Sequence, residues 1–456
     1  MASVTEGLKP LPSVLLSTTK VMKKTAEHVF RHTLTAIDIS AALGRKLDRR
    51  GSLISAGGSS SDIDLRAFRE IVAIAFGKAA LAMARGLHEI LTPEFPPDGI
   101  LVVPAAPSLP LPNWKTFVGG HPVPSAESFA AGEAILKRLA RCDEQTVVFF
   151  LISGGGSSLV EQPLEPGVTL ADFQVLNSAL VTCGAPIEEI NVVRKHLSAT
   201  KGGRLAAAAA RAMKITFAIS DVPDGHETAL ASGPTLPDPT TVADVERIVR
   251  KYGLLGKLPA SLRGMIERRT LAETPKDGEA AFARARFEIL LREHDLMHAA
   301  HHCCEGEGFT CMVDTETDNW PLEKAAEHLL RQLEILKKEN PRRRVAIFAG
   351  GEVSSPVTGD GVGGRNSAFV LACVPKIAGK KIAVLSAGTD GVDGNSPAAG
   401  AVADGETFAR ASAMGMECGE FSRRCDAFGF FERLGDAVVT GPTGNNLRDL
   451  RILLAE

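Results

Sequence analysis

One tyrosine and two tryptophans are all that 456 residues contain, and aromatic residues make up only 5% of the chain. Single-stranded nucleic acids are gripped by aromatic stacking platforms, so that function class has little to build on here. An excess of positive charge is also missing: 51 Lys and Arg stand against 54 Asp and Glu, a formal net charge of −3. This excludes a nucleic-acid surface held by bulk electrostatics. The eight cysteines (Cys142, Cys183, Cys303, Cys304, Cys311, Cys373, Cys418 and Cys425) form no C-x-x-C pair, and scattered thiols in a chain this long read as reduced groups of an intracellular protein. No apolar run approaches the roughly 18 residues of a membrane span, and no compact apolar segment before a cleavage site marks secretion. Neither a nucleic-acid nor a membrane partner is expected. The address expected is cytoplasmic, with a mitochondrial transit peptide in the acid-free stretch 7–24 as the alternative.

Apolar residues (45%) and charged residues (23%) stand at globular levels, enough for sizeable cores. The length suggests two or three domains at about 150 residues each. Val21, Ala26, Val29, Phe30, Leu34 and Ile37 recur at helical spacing and predict a helix over 20–47. Continuous apolar runs, as in strands buried on both faces, stand at Ile71–Phe76, Gly99–Pro104, Val147–Ile152 and Ile215–Ser220, with a shorter one opening at Phe117. Helical patterns lie between them, among them 126–139, 170–183 and 195–213. The alternation predicts a Rossmann-like, doubly wound, mostly parallel α/β sheet. A polar, proline-broken tract near residue 270 divides this domain, 1–270, from a second α/β domain, 271–456. In the latter, strands are expected at Phe309–Asp314, Arg344–Gly350 and Ile382–Gly388, and helices at 293–305 and 321–338.

Several strand ends run into loops with almost no side chains: LISGGGSSL (Leu151–Leu159), GDGVGGRN (Gly359–Asn366), SAGTDGVDG (Ser386–Gly394) and TGPTGNN (Thr440–Asn446). Ligands of open α/β sheets bind outside the carboxyl ends of strands, and bare loops bring backbone N–H groups close to anions. Lys78, after Gly77 at one strand end, and Arg365, at the end of one loop, add cations. Such cradles, cations and carboxylates are what phosphoryl transfer requires. Asp221, closing a strand, is a metal or catalytic carboxylate or else an N-cap. Asp390 and Asp393 are Mg²⁺ ligands or turn caps. His121, in GGHPVP, is a general base or a structural loop residue.

Common nucleotide motifs are missing. Gly77-Lys78 is followed by Ala79, with Val72 where a phosphate loop would have its first glycine, and no H-R-D catalytic loop occurs. A formal G-x-G-x-x-G at Gly359, Gly361 and Gly364 lies well beyond its nearest strand, after Pro356, and makes a poor dinucleotide fingerprint. His294 and His298, with His301, His302, Cys303, Cys304 and Cys311 nearby, have zinc-like spacing. No C-x-x-C or second carboxylate frames them, so a solvent-facing helix is the expected reading.

In chain order, FGKAALAMARG, GGHPVPSAES, LISGGGSSLVEQP, INVVRKHLSATKGGRLA, ISDVPDGHETALASGPTLPDPTT, GGEVSSPVTGDGVGGRNSA, LSAGTDGVDGNSPAAGAVAD and VTGPTGNNLRDLRI resemble the class II glycerate kinases, or glycerate 2-kinase family. The resemblance spans roughly residues 20–453 and is to the two-domain type with a leucine-rich multi-organism-fragment domain at the C-terminus. It implies ATP-dependent, Mg²⁺-assisted phosphorylation of D-glycerate to 2-phosphoglycerate. It also implies two α/β domains, the second with a mixed sheet, and an active site in the cleft between them. Lys78 and Arg365 match the family's active-site cations. An anion, either the ATP phosphates or the glycerate carboxylate, is implied at Gly154, Gly155 and Gly156, with hydroxyls from Ser153, Ser157 and Ser158. Asn191, Arg194 and Lys195, expected just before a helix, would hold the substrate carboxylate or form an interdomain ion pair. A carboxylate among Asp221, Asp224 and Asp390 would carry Mg²⁺.

The chain departs from the family pattern in three places. Asp224-Gly225 stands in inverted order after Pro223, Ser367-Ala368 replaces a Gln-Glu pair, and Asn445 stands where Thr is usual. Two rival readings follow: an oxidoreductase acting on hydroxypyruvate, and a non-catalytic homologue that binds a small anion.

Overall fold

The computed structural model describes residues 13–57, 62–222 and 225–456, with side chains from residue 21 onward. Asp224 therefore lies outside the described residues, as do residues 7–12 of the acid-free N-terminal stretch. Three short strands, β1 (Leu47–Arg50), β2 (Leu53–Ala56) and β3 (Ile63–Asp64), form a small antiparallel sheet. Six more form an all-parallel sheet: β4 (Glu70–Phe76), β5 (Asp98–Val103), β6 (Trp114–Val118), β7 (Thr146–Ser153), β8 (Met213–Ile219) and β9 (Ala285–Leu291), in the order β6-β5-β4-β7-β8-β9. Val72, Ile74 and Phe76 of β4 and Val148, Phe150 and Ile152 of β7 enter one core with Ala131, Ile135 and Leu139 of helix Ala126–Leu139. The alternate residues Ala73, Ala75, Val147, Phe149 and Leu151 are just as deeply buried, on the face covered by helix Ala80–Leu91. Burial on both faces is why these strands read as unbroken apolar runs. The helices Leu170–Thr182, Ile187–Leu197, Val242–Lys251 and Ala260–Glu267 add a satellite core around Phe173, Leu176, Val193, Ile248 and Leu262.

A second six-stranded sheet is mixed. It comprises β10 (Phe309–Asp314), β11 (Arg344–Ala349), β12 (Ile382–Gly388), β13 (Gly400–Asp404), β14 (Ala437–Val438) and β15 (Asp449–Ala455), in the order β10-β11-β15-β12-β13-β14. β10 and β11 run parallel, while β15 lies antiparallel to both β11 and β12. Helices Leu322–Glu339 and Arg365–Ile377 pack with this sheet in one core. Helices Ser13–Ala36 and Glu293–Gly306 pack against the same sheet and against each other. No helix among the described residues is long and apolar enough to cross a membrane.

The chain divides into two compact units, Ile39–Arg292 and a second made of the N-terminal segment through Asp38 with Glu293–Glu456. The expected division at 270 differs on both counts. β9 pairs with β8, so the parallel sheet is complete only at Leu291. The helix expected over 20–47 is two helices, Ser13–Ala36 and Ile39–Lys46, because the chain changes units between them. The helix expected over 195–213 is absent as such. Ile187–Leu197 ends before Gly202 and Gly203, whose φ values of +56° and +80° break the helix, and only the turn Arg204–Ala208 follows.

Candidate active site

From β4 the chain of the first unit builds outward through β5 and β6 on one side, and later through β7, β8 and β9 on the other. The order reverses between β4 and β7, and a crevice opens at the carboxyl ends of strands at such a switch point. Register pairs Phe76 with Ile152 and Ser153 with Ile219. Gly77-Lys78, Gly154–Gly156 and Ser220-Asp221 therefore emerge side by side.

The first two loops interlock. Lys78 donates its backbone N–H to the Gly154 carbonyl (2.9 Å), and Ala79 donates to Ser153 Oγ (3.0 Å). Gly77 must be glycine: its φ is +122°, and a Cβ there would stand 2.2 Å from Ser153 Oγ. Ser153 is fully buried, and its hydroxyl holds the junction together. Gly155 has φ +80°, and a Cβ on it would lie 3.1 Å from the His121 ring and 3.3 Å from Lys78 Cγ. Lys78, His121 and the glycine loop thus converge. Among the described residues, no carbonyl or side chain outside the single turn Gly156–Leu159 accepts from the N–H groups of Gly155 and Gly156.

Ser157 Oγ lies 2.9 Å from Ser232 Oγ, and Ser232 Oγ donates to Asn191 Oδ1 (3.2 Å). Ala231 and Ser232 both have positive φ (48° and 62°), a backbone strain that side-chain-bearing residues rarely accept. Ser158 Oγ turns back onto the Gly155 carbonyl (3.3 Å).

Asn191, Arg194 and Lys195 lie within helix Ile187–Leu197, not before one. Buried Lys195 pairs with buried Asp238 of its own unit (3.1 Å). Arg194, half-buried, donates from Nε to Asn177 Oδ1 (3.1 Å). Asp221 follows the carboxyl end of β8 as expected.

In the second unit, β15 begins between the carboxyl ends of β11 and β12, with Arg451 opposite Ala349 and Asp449 opposite Gly388. Arg365 opens helix Arg365–Ile377 and makes a bidentate pair with buried Asp449 (Nε–Oδ2 2.5 Å, Nη2–Oδ1 3.1 Å) while Nη2 reaches Glu352 (2.8 Å). Burial alone would lower the guanidinium's pKa, but Asp449 and Glu352 outweigh it and hold the pKa above the usual arginine range. Arg448, at φ +67°, is clamped by Asp318 (2.6 and 3.0 Å) and Glu293 (3.1 Å).

The loop before Arg365 does not offer its donors to a ligand. Asp393 accepts from the N–H groups of Gly364 (3.2 Å), Asn366 (2.9 Å) and Ser367 (2.8 Å), and from Ser367 Oγ (2.6 Å). Asp393 caps the helix start, the second of the two readings open for it in the sequence, and the loop's donors end on that carboxylate. A pyrophosphate would need the same place, so the G-x-G-x-x-G reading fails here as well. Gly359 and Gly361 instead pack on the backbone of Arg424. Asp390 Oδ1 accepts from its own loop, at Val392 N (3.0 Å).

Asp449, Glu352, Asp318 and Arg448 were not anticipated individually. Asp449, Arg448 and Glu352 lie inside the quoted stretches VTGPTGNNLRDLRI and GGEVSSPVTGDGVGGRNSA, but only pairing shows what they touch. Asp318 carries no local signal. The imidazoles of His294, His298 and His302 line one exposed face of helix Glu293–Gly306, with neighbouring ring centroids 6.4 Å apart. No three His, Cys, Asp or Glu among the described residues are grouped to hold a metal ion.

Comparison with known proteins bears directly on this pair of units. Residues 25–267 match a family model described as a domain of unknown function (DUF4147), and residues 345–449 match the MOFRL family. A D-glycerate 2-kinase of Thermotoga maritima is 33% identical over 84% of this chain and 90% of its own. The chain belongs to the glycerate kinase family. The crystal structure of a glycerate kinase from Thermotoga maritima shares the fold, with TM-score 0.81 and 30% identity over 96% of this chain and 100% of that one. A protein of Agrobacterium vitis that carries a provisional hydroxypyruvate reductase name is 36% identical over 84% of this chain and 86% of its own. Family membership and the two α/β units agree with the resemblance read from the motifs.

Proposed function

We propose that this chain is a glycerate kinase that transfers the γ-phosphoryl group of ATP to the 2-hydroxyl of D-glycerate, releasing ADP and 2-phosphoglycerate. The observation that carries the reading is the convergence of Lys78 with a glycine loop of uncommitted N–H groups at the switch point of the parallel sheet. Phosphoryl transfer is catalysed mainly by placed donors and charges, and these are placed donors and a charge. Lys78 acts as a compact cation on the migrating phosphoryl, and Gly155 and Gly156 let the backbone approach an anion. Arg365 supplies the second cation, exchanging Asp449 for phosphoryl oxygens. His121, beside Gly155, receives the proton of the attacking hydroxyl. Asn191 and Arg194 orient the glycerate carboxylate, while Lys195 is committed to Asp238.

Magnesium suits this arrangement without an all-protein cage. It is held by one or two carboxylates together with the substrate's phosphates, and Asp221 and Asp390, at the carboxyl ends of β8 and β12, are the residues to provide them. Bound with ATP, Mg²⁺ would neutralise charge on the phosphates. The hydroxypyruvate reading has a similarly named relative in its favour. It lacks a dinucleotide site in the glycine loop at Arg365, where Asp393 occupies the helix start.

The test is ADP release from ATP and Mg²⁺ in the presence and absence of D-glycerate, with the phosphorus NMR spectrum of the product, run beside Lys78→Ala. Glycerate-dependent release of ADP and 2-phosphoglycerate, lost in the variant, is the expected result. NADH consumption on hydroxypyruvate without ADP release would overturn it.

A further inference from the structure

The chain passes from one compact unit to the other after Asp38 and returns after Arg292. Both passages are tied, within the second unit, to one short loop. Just before the first, the Ile37 carbonyl accepts a buried hydrogen bond from Asn445 Nδ2 (3.2 Å). Just after the second, Glu293 Oε2 accepts from Arg448 Nη1 (3.1 Å). Asn445 and Arg448 are three residues apart, and the residue after Arg448 is Asp449, which holds Arg365.

The loop that carries them is firmly seated. Thr443 donates from N to the Asp390 carbonyl (3.1 Å) and from Oγ1 to the Thr389 carbonyl (2.5 Å). Leu447 N donates to Thr389 Oγ1 (2.8 Å), which itself donates to the Arg448 carbonyl (2.7 Å). Asp318 fixes the other edge of the Arg448 guanidinium. Arg448 takes this place at φ +67°, a conformation unfavourable for any residue with a Cβ and therefore one that its side-chain pairs must sustain. A threonine hydroxyl, one bond shorter than a carboxamide nitrogen, would not span to the Ile37 carbonyl in this geometry.

We infer that Asn445 and Arg448 are positioning residues that couple the setting of Arg365 to the two segments where the chain changes units. The inference rests on the kinase reading only for the identity of the ligand. A phosphoryl anion that draws Arg365 from Asp449 acts on the residue bonded to Arg448, and Arg448 and Asn445 carry the change to residues 293 and 37. A mechanical link of this kind needs two alternative partners at one end, and Arg365 has them in Asp449 and the incoming anion.

Amide hydrogen exchange tests the link on the whole chain. In ligand-free protein, Asn445→Ala should raise exchange at residues 36–40, and Arg448→Ala at residues 291–295, by about fivefold each, the loss of one buried hydrogen bond. Arg448→Lys, which keeps one charge-assisted contact, should restore part of the difference. With D-glycerate, Mg²⁺ and a non-hydrolysable ATP analogue, the wild type should gain protection at both segments. The variants should lose that gain while keeping protection around Gly154–Gly156. KM should rise with kcat little changed, as a purely destabilised protein would not show. Unchanged exchange at 36–40 and 291–295 in variants with wild-type melting temperatures would overturn the inference. If the wild type releases no ADP with glycerate, the kinase reading fails instead, and the ligand-free comparison still decides the tie. Should either alanine variant fail to fold, Arg448→Lys and Asn445→Thr carry the same comparison.

Discussion

At the carboxyl end of β7, Gly155 and Gly156 present N–H groups that no other part of the described chain takes up, beside Lys78. At the start of helix Arg365–Ile377, the N–H groups of Gly364, Asn366 and Ser367 all end on Asp393, beside Arg365. Both loops are rich in glycine and lie beside a cation. One leaves its donors to be taken up; the other ends them on an internal carboxylate, supplied from the next glycine-rich loop. A bare loop therefore signals donors, and what those donors bind depends on whether an internal carboxylate reaches them first. Arg365 is set by Asp449 and Glu352.

Removing the cation at the open loop should produce the largest effect. Lys78→Ala is expected to lower kcat by about 10³-fold, the scale of a transition-state charge contact, with an unchanged melting temperature. A loss of under tenfold would mean that the open loop is not where the phosphoryl group moves.

Adding one methyl group separates the loops more sharply. In Gly155→Ala, the new Cβ meets His121 and Lys78 Cγ at φ +80°. The expected loss is about 10²-fold in kcat/KM from displaced groups, with modest destabilisation of about 1–2 kcal/mol from the left-handed backbone. Gly364→Ala has no such backbone strain, but its Cβ would stand 2.3 Å from Asp393 Oδ1 and 2.5 Å from Gly394 N. There the expected loss is in folding, by about 3 kcal/mol, read by denaturant titration. If activity and stability responded alike at both glycines, the contrast would collapse.

Asp393 itself can be converted from plug to vacancy. Asp393→Ala strands three N–H groups and a hydroxyl, with an expected cost of about 2–4 kcal/mol. Inorganic phosphate added to the variant should recover part of that stability in thermal melts, and should do nothing comparable for the wild type. Equal responses to phosphate would show that the helix start does not bind anions when opened.

The parallel sheet was legible because burial on both faces leaves unbroken runs of Val, Ile, Phe and Ala, as in VVFFLI. Its end at β9 was not, because Ala285–Leu291 carries Arg286 and Glu288 and is only partly buried along most of its length. The N-terminal helix was legible as a helix, but its allegiance to the second sheet is a tertiary fact that periodicity cannot carry. At the site, Lys78, the glycine loop and Arg365 stood out because glycine and a following cation are local signals. The commitments of Ser153, Lys195 and Asp393 depend on partners that are, respectively, 74, 43 and 26 residues away in sequence.

The smallest expected effect concerns two buried aspartates whose surroundings act in opposite directions. Burial raises the pKa of Asp393, and the donors from Ser367 and Asn366 do not fully offset it, so it lies above the usual carboxylate range. Burial also works against the charge of Asp238, but Lys195 and Thr240 outweigh it and its pKa lies below that range. A folded value below the unfolded one means stability that is present at neutral pH and lost as pH falls through the folded value. A folded value above the unfolded one means a contribution fully present in acid and lost as pH rises through the folded value. Between about pH 6 and about pH 3, therefore, Asp238→Asn should lose less stability on acidification than the wild type, and Asp393→Asn should lose more. Chemical denaturation across that window reads both slopes. Parallel slopes in the two variants would show that the lysine-paired carboxylate and the carboxylate held by backbone donors experience the same field, contrary to the contrast between ion pairing in the first unit and helix capping in the second.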